Sequence, residues 1–266
     1  MNIKSHTKTL FLTTVSLIAL SSFLFQQSKP TLYLIGDSTV KNSKDKGDGG
    51  LWGWGHFVGD YFDPQKITVE NDALGGTSSR TFQTQGLWDK VLVKIKPGDY
   101  LMMQFGHNDS SPLDDTARAR GTIKGVSDES KDTYNPIMKK QELVHTYGWY
   151  MRKFVNEAKA KGATVIICSP IPRNSWKDGK VNRNGGDYGG WSKEVAQQTN
   201  ASFIDLNSLI ADVYDKEGEE KAKTTYFNDK DHTHTIEAGA KLNAQLVVAG
   251  LKGLTNNPLN KYLLKK

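Results

Sequence analysis

The chain has 266 residues, of which 37% are hydrophobic and 24% charged. This length suits one large α/β domain, and the composition is that of an ordinary soluble globular protein. The formal net charge of +6 is spread along the chain, with no basic tract beyond the last two lysines. That distribution argues against nucleic-acid binding and is compatible with an acidic polymer as partner.

Residues 1–28 predict a secretory signal peptide and a short N-terminal segment. Lys4 and Lys8 precede an uncharged, apolar stretch over residues 9–25, which is the pattern of such a signal. The stretch is shorter than the ~20 residues that a membrane span prefers, which favours cleavage over an uncleaved anchor. Because residues 1–28 hold two lysines and no acidic residue, their removal lowers the net charge from +6 to +4. We expect a secreted or periplasmic protein with no stable membrane association after cleavage, and a single domain over residues 29–266.

Short apolar runs alternate with helical patterns along the rest of the chain. The predicted strands are 31–35, 67–74, 99–105, 164–171 and 202–206. The predicted helices are 57–62, 80–95, 137–161, 191–199, 207–214 and 236–251. The alternation predicts a parallel sheet with helices on both faces. The polar segment 110–136 is expected to be a functional loop or an insertion over the site, and Cys168 a buried strand thiol.

Three predicted strands end in small or amide-bearing residues. Ser38 follows the first strand, Gly76 the second and Asn108 the third. Because parallel strands end at the same edge of a sheet, we expect these residues to converge. Acyl transfer needs a nucleophilic hydroxyl and N–H groups that donate hydrogen bonds to the oxyanion. The backbone N–H groups of Ser38 and Gly76 and the side-chain amide of Asn108 would be these donors. The alternative for residues 36–39 alone is a simple strand-ending turn.

A base for Ser38 is expected near the C-terminus, where two Asp-x-x-His pairs overlap. They are Asp229/His232 and Asp231/His234. A carboxylate three residues before a histidine can turn back onto its Nδ1–H and fix the tautomer. The His-x-His spacing in this segment also permits a metal site, but no further ligands with recognisable spacing accompany it. A third interpretation of the segment is a turn that caps the last helix and leaves the histidines exposed.

Together these segments resemble the four sequence blocks of the SGNH (GDSL-type) hydrolases, in order and across essentially the whole mature chain. The blocks are Gly36-Asp-Ser-Thr39, Asn71-Asp-Ala-Leu-Gly-Gly-Thr-Ser-Ser-Arg80, Gly106-His-Asn-Asp109, and Asp231-His-Thr-His234 with Gly239. The second and fourth blocks resemble the rhamnogalacturonan acetylesterase branch. Thr39 stands where the common block has leucine, as it does in this branch.

The resemblance implies a three-layer α/β/α sandwich with a five-stranded parallel sheet, flavodoxin-like, and catalysis without a metal or other cofactor. It places the nucleophile on Ser38, the oxyanion donors on Ser38, Gly76 and Asn108, and the Asp/His pair on Asp231 and His234. The position of Gly239 favours that pair over Asp229/His232.

The sequence therefore predicts a secreted carbohydrate esterase that removes acetyl groups from rhamnogalacturonan. Tryptophans near loops suit stacking on sugar rings, and arginines suit uronate carboxylates. The candidate substrate-binding residues are Trp52, Trp54, Arg80, His107, Arg173 and Trp191. The alternatives are an acetylxylan esterase, a lipase or thioesterase, and a non-catalytic carbohydrate-binding protein. The expected partner is an acetylated acidic polysaccharide.

Overall fold

The computed structural model describes residues 29–183 and 187–265. The predicted signal segment, residues 1–28, lies outside the described residues. Five strands form a parallel central sheet: β1 (Thr31–Gly36), β2 (Thr68–Asn71), β3 (Tyr100–Gln104), β6 (Thr164–Cys168) and β9 (Ser202–Ile204). Their order across the sheet is β2-β1-β3-β6-β9.

The sheet separates two hydrophobic cores because side chains alternate across each strand. In β1, Leu32 and Leu34 face one core, whereas Tyr33 and Ile35 face the other. The remaining central strands divide their buried side chains in the same way. Strands buried on both faces read as continuous apolar runs, which explains why β1, β3 and β6 are recognisable in the sequence, whereas the edge strands β2 and β9 are only partly buried.

Helices cover both faces of the sheet. One face carries α1 (Gly55–Val58), α6 (Leu206–Glu217), α7 (Glu219–Tyr226) and α8 (Glu237–Gly253). The other carries α2 (Ser79–Thr84), α3 (Leu87–Leu92), α4 (Tyr147–Ala160) and α5 (Tyr188–Thr199). The expected three-layer α/β/α architecture with a five-stranded parallel sheet is confirmed. In the described part of the chain, no helix is long and apolar enough to cross a bilayer.

Two of the predicted helices differ most from the observed ones, and α7 is not predicted at all. The helix predicted over 80–95 is two short helices, because Gly86 between them has a left-handed φ of 67°. The helix predicted over 137–161 forms only from Tyr147, where the Thr146 side chain accepts the N–H of Trp149 and caps it.

The preceding residues form a β-hairpin instead of helix or loop. Strand β4 (Ser130–Asn135) pairs antiparallel with β5 (Lys140–His145). In β5, Val144 is buried and Leu143 is exposed, which is the period-two alternation of a strand. Two further two-residue strands, β7 (Trp176–Lys177) and β8 (Lys180–Val181), form a small hairpin between the predicted strand 164–171 and the predicted helix 191–199.

Arg80 anchors the β4–β5 hairpin to the domain, and its predicted role in substrate binding is wrong. The side chain is fully buried, with Nε and Nη2 donating to the two Glu142 carboxylate oxygens at 2.8 and 2.7 Å. Nη1 donates to the carbonyls of Leu113 and Gly121 at 2.7 and 2.9 Å. Arg80 therefore joins α2, the hairpin and segment 110–121.

Replacement of Glu142 should make the domain less stable, because it leaves the Arg80 guanidinium buried without a counter-charge. We expect Glu142→Gln to lower the free energy of unfolding by about 3–5 kcal/mol in urea denaturation. The matched control is Glu237→Gln, which removes an exposed ion pair with Lys241 and should cost less than about 1 kcal/mol. Equal, small losses in both variants would show that the buried pair is not what holds the hairpin.

Candidate active site

Ser38 lies in a tight turn that follows β1 at the carboxyl edge of the sheet. The Asp37 carbonyl accepts the N–H groups of Val40 and Lys41 at 3.1 Å. The Ser38 side chain is half-buried and faces the loop that carries His234. The strand end thus presents a hydroxyl at the place where open α/β sheets bind ligands.

A hydrogen-bond network in the protein interior stabilises this turn. Asp37 Oδ1 accepts from both the backbone N–H and the hydroxyl of Thr39 at 2.8 Å. Gln104 Nε2 donates to the same hydroxyl at 2.5 Å, and Trp54 Nε1 donates to Gln104 Oε1 at 3.0 Å. Leucine at position 39 has no hydroxyl for these contacts. The predicted stacking role of Trp54 is wrong, because the ring is fully buried in this network.

His107 extends the network, and it also lines the pocket that contains Arg173, so its role in substrate binding stays a prediction. Its side chain is 5% exposed, with Nδ1 3.3 Å from Asp37 Oδ2 and Nε2 3.0 Å from the Ile171 carbonyl. Burial alone would raise the pKa of Asp37, but the contacts with His107 and Thr39 outweigh it and hold the pKa below its ordinary value. Asp37 is therefore an anion that organises the turn.

The loop before α8 brings His234 to Ser38. Asp231 Oδ1 accepts the N–H groups of Thr233 and His234 at 2.7 and 2.8 Å, and Oδ2 lies 2.7 Å from His234 Nδ1. Partial burial raises the pKa of Asp231, but these hydrogen bonds more than compensate and lower it overall. The ionised carboxylate fixes the imidazole with Nδ1 protonated.

The other imidazole nitrogen meets the serine. His234 Nε2 lies 2.7 Å from Ser38 Oγ, within hydrogen-bond distance. Of the two Asp-x-x-His pairs, the structure brings Asp231/His234 to Ser38. In the other pair, the carbonyl of His232 accepts the backbone N–H of Asn174 at 2.8 Å. The geometry is that of a nucleophile, a base and an orienting carboxylate, and the catalytic roles stay predictions.

Gly76 and Asn108 lie together beside Ser38. Gly76 has a φ of 80°, in the left-handed region that favours glycine. Its neighbour Gly75 lies against the serine: a Cβ there would be 3.7 Å from Ser38 Cβ. Asn108 Nδ2 donates one N–H to the Thr77 carbonyl at 2.8 Å, which orients the amide. Its second N–H is the candidate oxyanion donor.

Asp109 ties these two loops together, a role that its position in the sequence does not reveal. Its Oδ1 accepts from the backbone N–H of Ser79 at 3.0 Å and from the Ser79 hydroxyl at 2.5 Å. Its carbonyl accepts the N–H of Thr122 at 3.0 Å. Oδ2 is buried with no hydrogen-bond partner in the described part of the chain, and burial raises the pKa of this carboxyl to about 7.

A pocket of about 260 Å³ adjoins His107 and contains Arg173, Arg183, Tyr188 and Asn207 in its lining. Trp191 is half-buried, with its ring centroid 4.8 Å from that of Tyr188. Arg173 lines this pocket, and Trp191 lies next to Tyr188, which also lines it. Both residues stay predicted substrate contacts.

Trp52 is mostly buried, but it also lines a second cavity together with Gly50 and Lys241, so its stacking role stays a prediction. It is 9% exposed and packs against His56 and Phe57 with centroids 4.7 and 5.3 Å apart. Within residues 29–183 and 187–265, no group of three or more His, Cys, Asp or Glu side chains is arranged to hold a metal ion.

The pKa of Asp109 predicts a pH-dependent stability difference. The folded protein holds a proton that the unfolded chain loses above the ordinary pKa of 3.8, so this group's contribution to stability declines as pH rises towards about 7. Asp109→Asn keeps an oxygen for Ser79 and removes the titration. In urea denaturation from about pH 5 to about pH 8, the wild type should lose stability relative to Asp109→Asn up to about pH 7 and then stay level. A difference that is constant with pH would refute the assignment.

Comparisons with known proteins agree with this geometry. A family model described as GDSL-like lipase/acylhydrolase matches residues 32–247. YesY of Bacillus subtilis, described as a probable rhamnogalacturonan acetylesterase, is 32% identical over 238 residues, which cover 88% of this chain and 98% of that protein. A rhamnogalacturonan acetylesterase of Emericella nidulans is 31% identical over 236 residues, or 88% of this chain and 87% of that protein.

Solved structures show the same fold. The crystal structure of YxiM from Bacillus subtilis matches with a TM-score of 0.68 at 30% identity, and the match covers 85% of this chain but only 57% of that one. Axe2, an acetylxylan esterase of Geobacillus stearothermophilus, matches with a TM-score of 0.54 at 18% identity over 83% of this chain and 93% of that one, a likeness of fold alone. The chain belongs to the GDSL-like lipase/acylhydrolase family, the SGNH hydrolases, and is a serine ester hydrolase.

Proposed function

We propose that this chain is an exported carbohydrate acetylesterase that removes acetyl groups from rhamnogalacturonan through an acyl-enzyme on Ser38. The observation that carries the proposal is the continuous contact from Asp231 through His234 to Ser38, with both hydrogen-bond distances at 2.7 Å. Gly76 and Asn108 lie at the same edge of the sheet. This arrangement suits nucleophilic attack on an ester carbonyl.

In the acylation step, His234 Nε2 removes the Ser38 proton as Oγ attacks the acetyl carbonyl. The resulting oxyanion is held by the backbone N–H groups of Ser38 and Gly76 and by the Asn108 amide. When the tetrahedral intermediate collapses, His234 returns the proton to the departing sugar oxygen and the acetyl group stays on Ser38. The Asp231 carboxylate stabilises the imidazolium that forms in between.

Deacylation repeats these steps with water. His234 takes a proton from the water as it attacks the acetyl carbonyl, and the same donors hold the second oxyanion. Collapse of this intermediate breaks the bond to Ser38 Oγ, returns the proton to the serine and releases acetate. Both halves of the cycle therefore use one base and one set of oxyanion donors.

The choice of a pectic substrate rests on the relatives and on the charge near the site. YesY and the Emericella nidulans protein are described as rhamnogalacturonan acetylesterases. The pocket lined by His107 contains Arg173, a cation with no ion pair in the described part of the chain, which suits an acidic polymer. The apolar segment after Lys4 and Lys8, which is typical of a secretory signal, supports the proposal that the protein is exported.

The test is acetate release from acetylated rhamnogalacturonan, with acetylated xylan and an aryl acetate alongside. The proposal expects strong release from the pectic polymer that Ser38→Ala abolishes. Ser38-dependent release from xylan or the aryl ester alone would keep the mechanism and reject the substrate. No release from any of the three would favour a non-catalytic carbohydrate-binding protein.

Loss of one oxyanion donor should be visible in turnover. We expect Asn108→Ala to lower kcat by about 10²–10³ on the aryl acetate. Asn182→Ala is the matched control, because its amide donates to the Ser175 hydroxyl at 2.7 Å on the surface, and it should keep wild-type kcat. A loss below about tenfold for a folded Asn108→Ala protein would refute the oxyanion role.

A further inference from the structure

The six arginines of the chain fall into two groups of three. One group is ion-paired with carboxylates: Arg80 with Glu142, Arg152 with Asp128, and Arg183 with Asp212 and Asp215. The other group comprises Arg118, Arg120 and Arg173, for which residues 29–183 and 187–265 provide no ion pair. We call these three residues the arginine cluster, and all three lie around the candidate active site.

Arg118 lies over the candidate oxyanion glycine. A Cβ built on Gly76 would overlap Arg118 Nη1, so the guanidinium occupies the space that the missing side chain leaves. The Arg118 side chain is exposed, and no residue in the described part of the chain accepts a hydrogen bond from it. A cation with free donors therefore lies beside the loop that binds the reacting carbonyl.

Arg120 lies two residues further along and is tied to the Asn108 loop. Its Nε donates to the Ser111 hydroxyl at 3.1 Å, and the Ser111 N–H donates to the Asn108 carbonyl at 3.3 Å. Ala119, between the two arginines, is buried and has a left-handed φ of 49°, a conformation that is uncommon for alanine. This turn directs a buried methyl inward and leaves an arginine on each side of it.

Arg173 is held by neutral acceptors on both sides of the site. Nη2 donates to the His107 carbonyl at 3.0 Å, and Nη1 donates to the Thr233 hydroxyl next to His234. Burial lowers the pKa of this guanidinium, and the like charge of Arg120 lowers it further, although Asp37 and Asp231 act in the opposite direction.

Both of those carboxylates are already engaged. Asp37 is held by Thr39 and His107, and Asp231 by the His234 loop. Arg173 is therefore a half-buried cation with no carboxylate of its own.

We propose that the arginine cluster binds the carboxylate of a sugar acid in the substrate, close to the acetylated hydroxyl. Three like charges around one site repel one another, and a half-buried guanidinium without a counter-ion is unfavourable. A carboxylate relieves both effects, because guanidinium groups bind it through paired, charge-assisted hydrogen bonds. The cluster thereby selects an acidic over a neutral polysaccharide. This inference rests on the proposed function for the identity of the ligand.

The test compares two forms of one glycan that differ only in charge. Ser38→Ala protein, which retains the arginine cluster, is titrated calorimetrically with acetylated rhamnogalacturonan fragments and with the same fragments after their carboxylates are reduced to alcohols. We expect the acidic form to bind at least about tenfold more tightly, and the difference to shrink as salt is added.

Arg118→Gln in the same background isolates the cluster, because this side chain has no hydrogen bond in the described structure to lose. It should reduce the preference for the acidic form by about tenfold. Arg152→Gln is the matched control, since it removes an arginine paired with Asp128, and it should leave the preference unchanged. Arg118→Lys should recover part of the preference, since it restores the charge without the guanidinium fork.

The outcomes separate this inference from the proposed function. Equal binding of the two forms, no binding of the acidic form, or equal losses for both forms in Arg118→Gln would overturn the cluster's role. Ser38-dependent acetate release from the polymer would still support the esterase proposal in each of those cases. Conversely, a charge preference that depends on Arg118, in a protein that releases no acetate, would keep the carboxylate site and reject the esterase proposal.

Discussion

The site depends on one buried anion, the Asp37 carboxylate, which immediately precedes the candidate nucleophile. Its two oxygens join the turn after β1 to Thr39 and to His107. His107 in turn reaches the carbonyl of Ile171 after β6. The ends of three neighbouring strands are thereby held in one arrangement. A buried charge is tolerated only when its hydrogen bonds are satisfied, so the same contacts that stabilise Asp37 leave Ser38 few positions to adopt.

The rest of the site is built onto this frame by polar contacts. Asp109 links the Gly76 and Asn108 loops through Ser79, so both candidate oxyanion donors belong to one unit. Arg80 fastens segment 110–121 and the hairpin to α2, and that segment carries Arg118 to Gly76. Segment 110–121 therefore lies along one side of the site, and the buried Arg80–Glu142 ion pair holds it and the hairpin in place. Substrate preference and catalysis share this scaffold, although different segments of the chain supply them.

The sequence predicts the inner strands of the central sheet well, because β1, β3 and β6 are buried on both faces and form continuous apolar runs. It also predicts which residues meet at the sheet edge, since parallel strands end on one side. The hairpin over 130–145 is not predicted because its alternation is short and polar. The exposed Leu143 resembles one position of a helical stripe. Burial of arginine and tryptophan is likewise set by distant partners, as Arg80 with Glu142 and Trp54 with Gln104 show. No local pattern encodes those pairings.

Catalysis by this site requires that Ser38 is the nucleophile and that His234 activates it. The most direct measurement is mass spectrometry of the protein after treatment with an organophosphate ester, with the modified peptide sequenced. We expect a single adduct on Ser38, formed at a rate that His234→Ala lowers by about 10² or more. An adduct on another residue, or a rate that does not depend on His234, would contradict these roles.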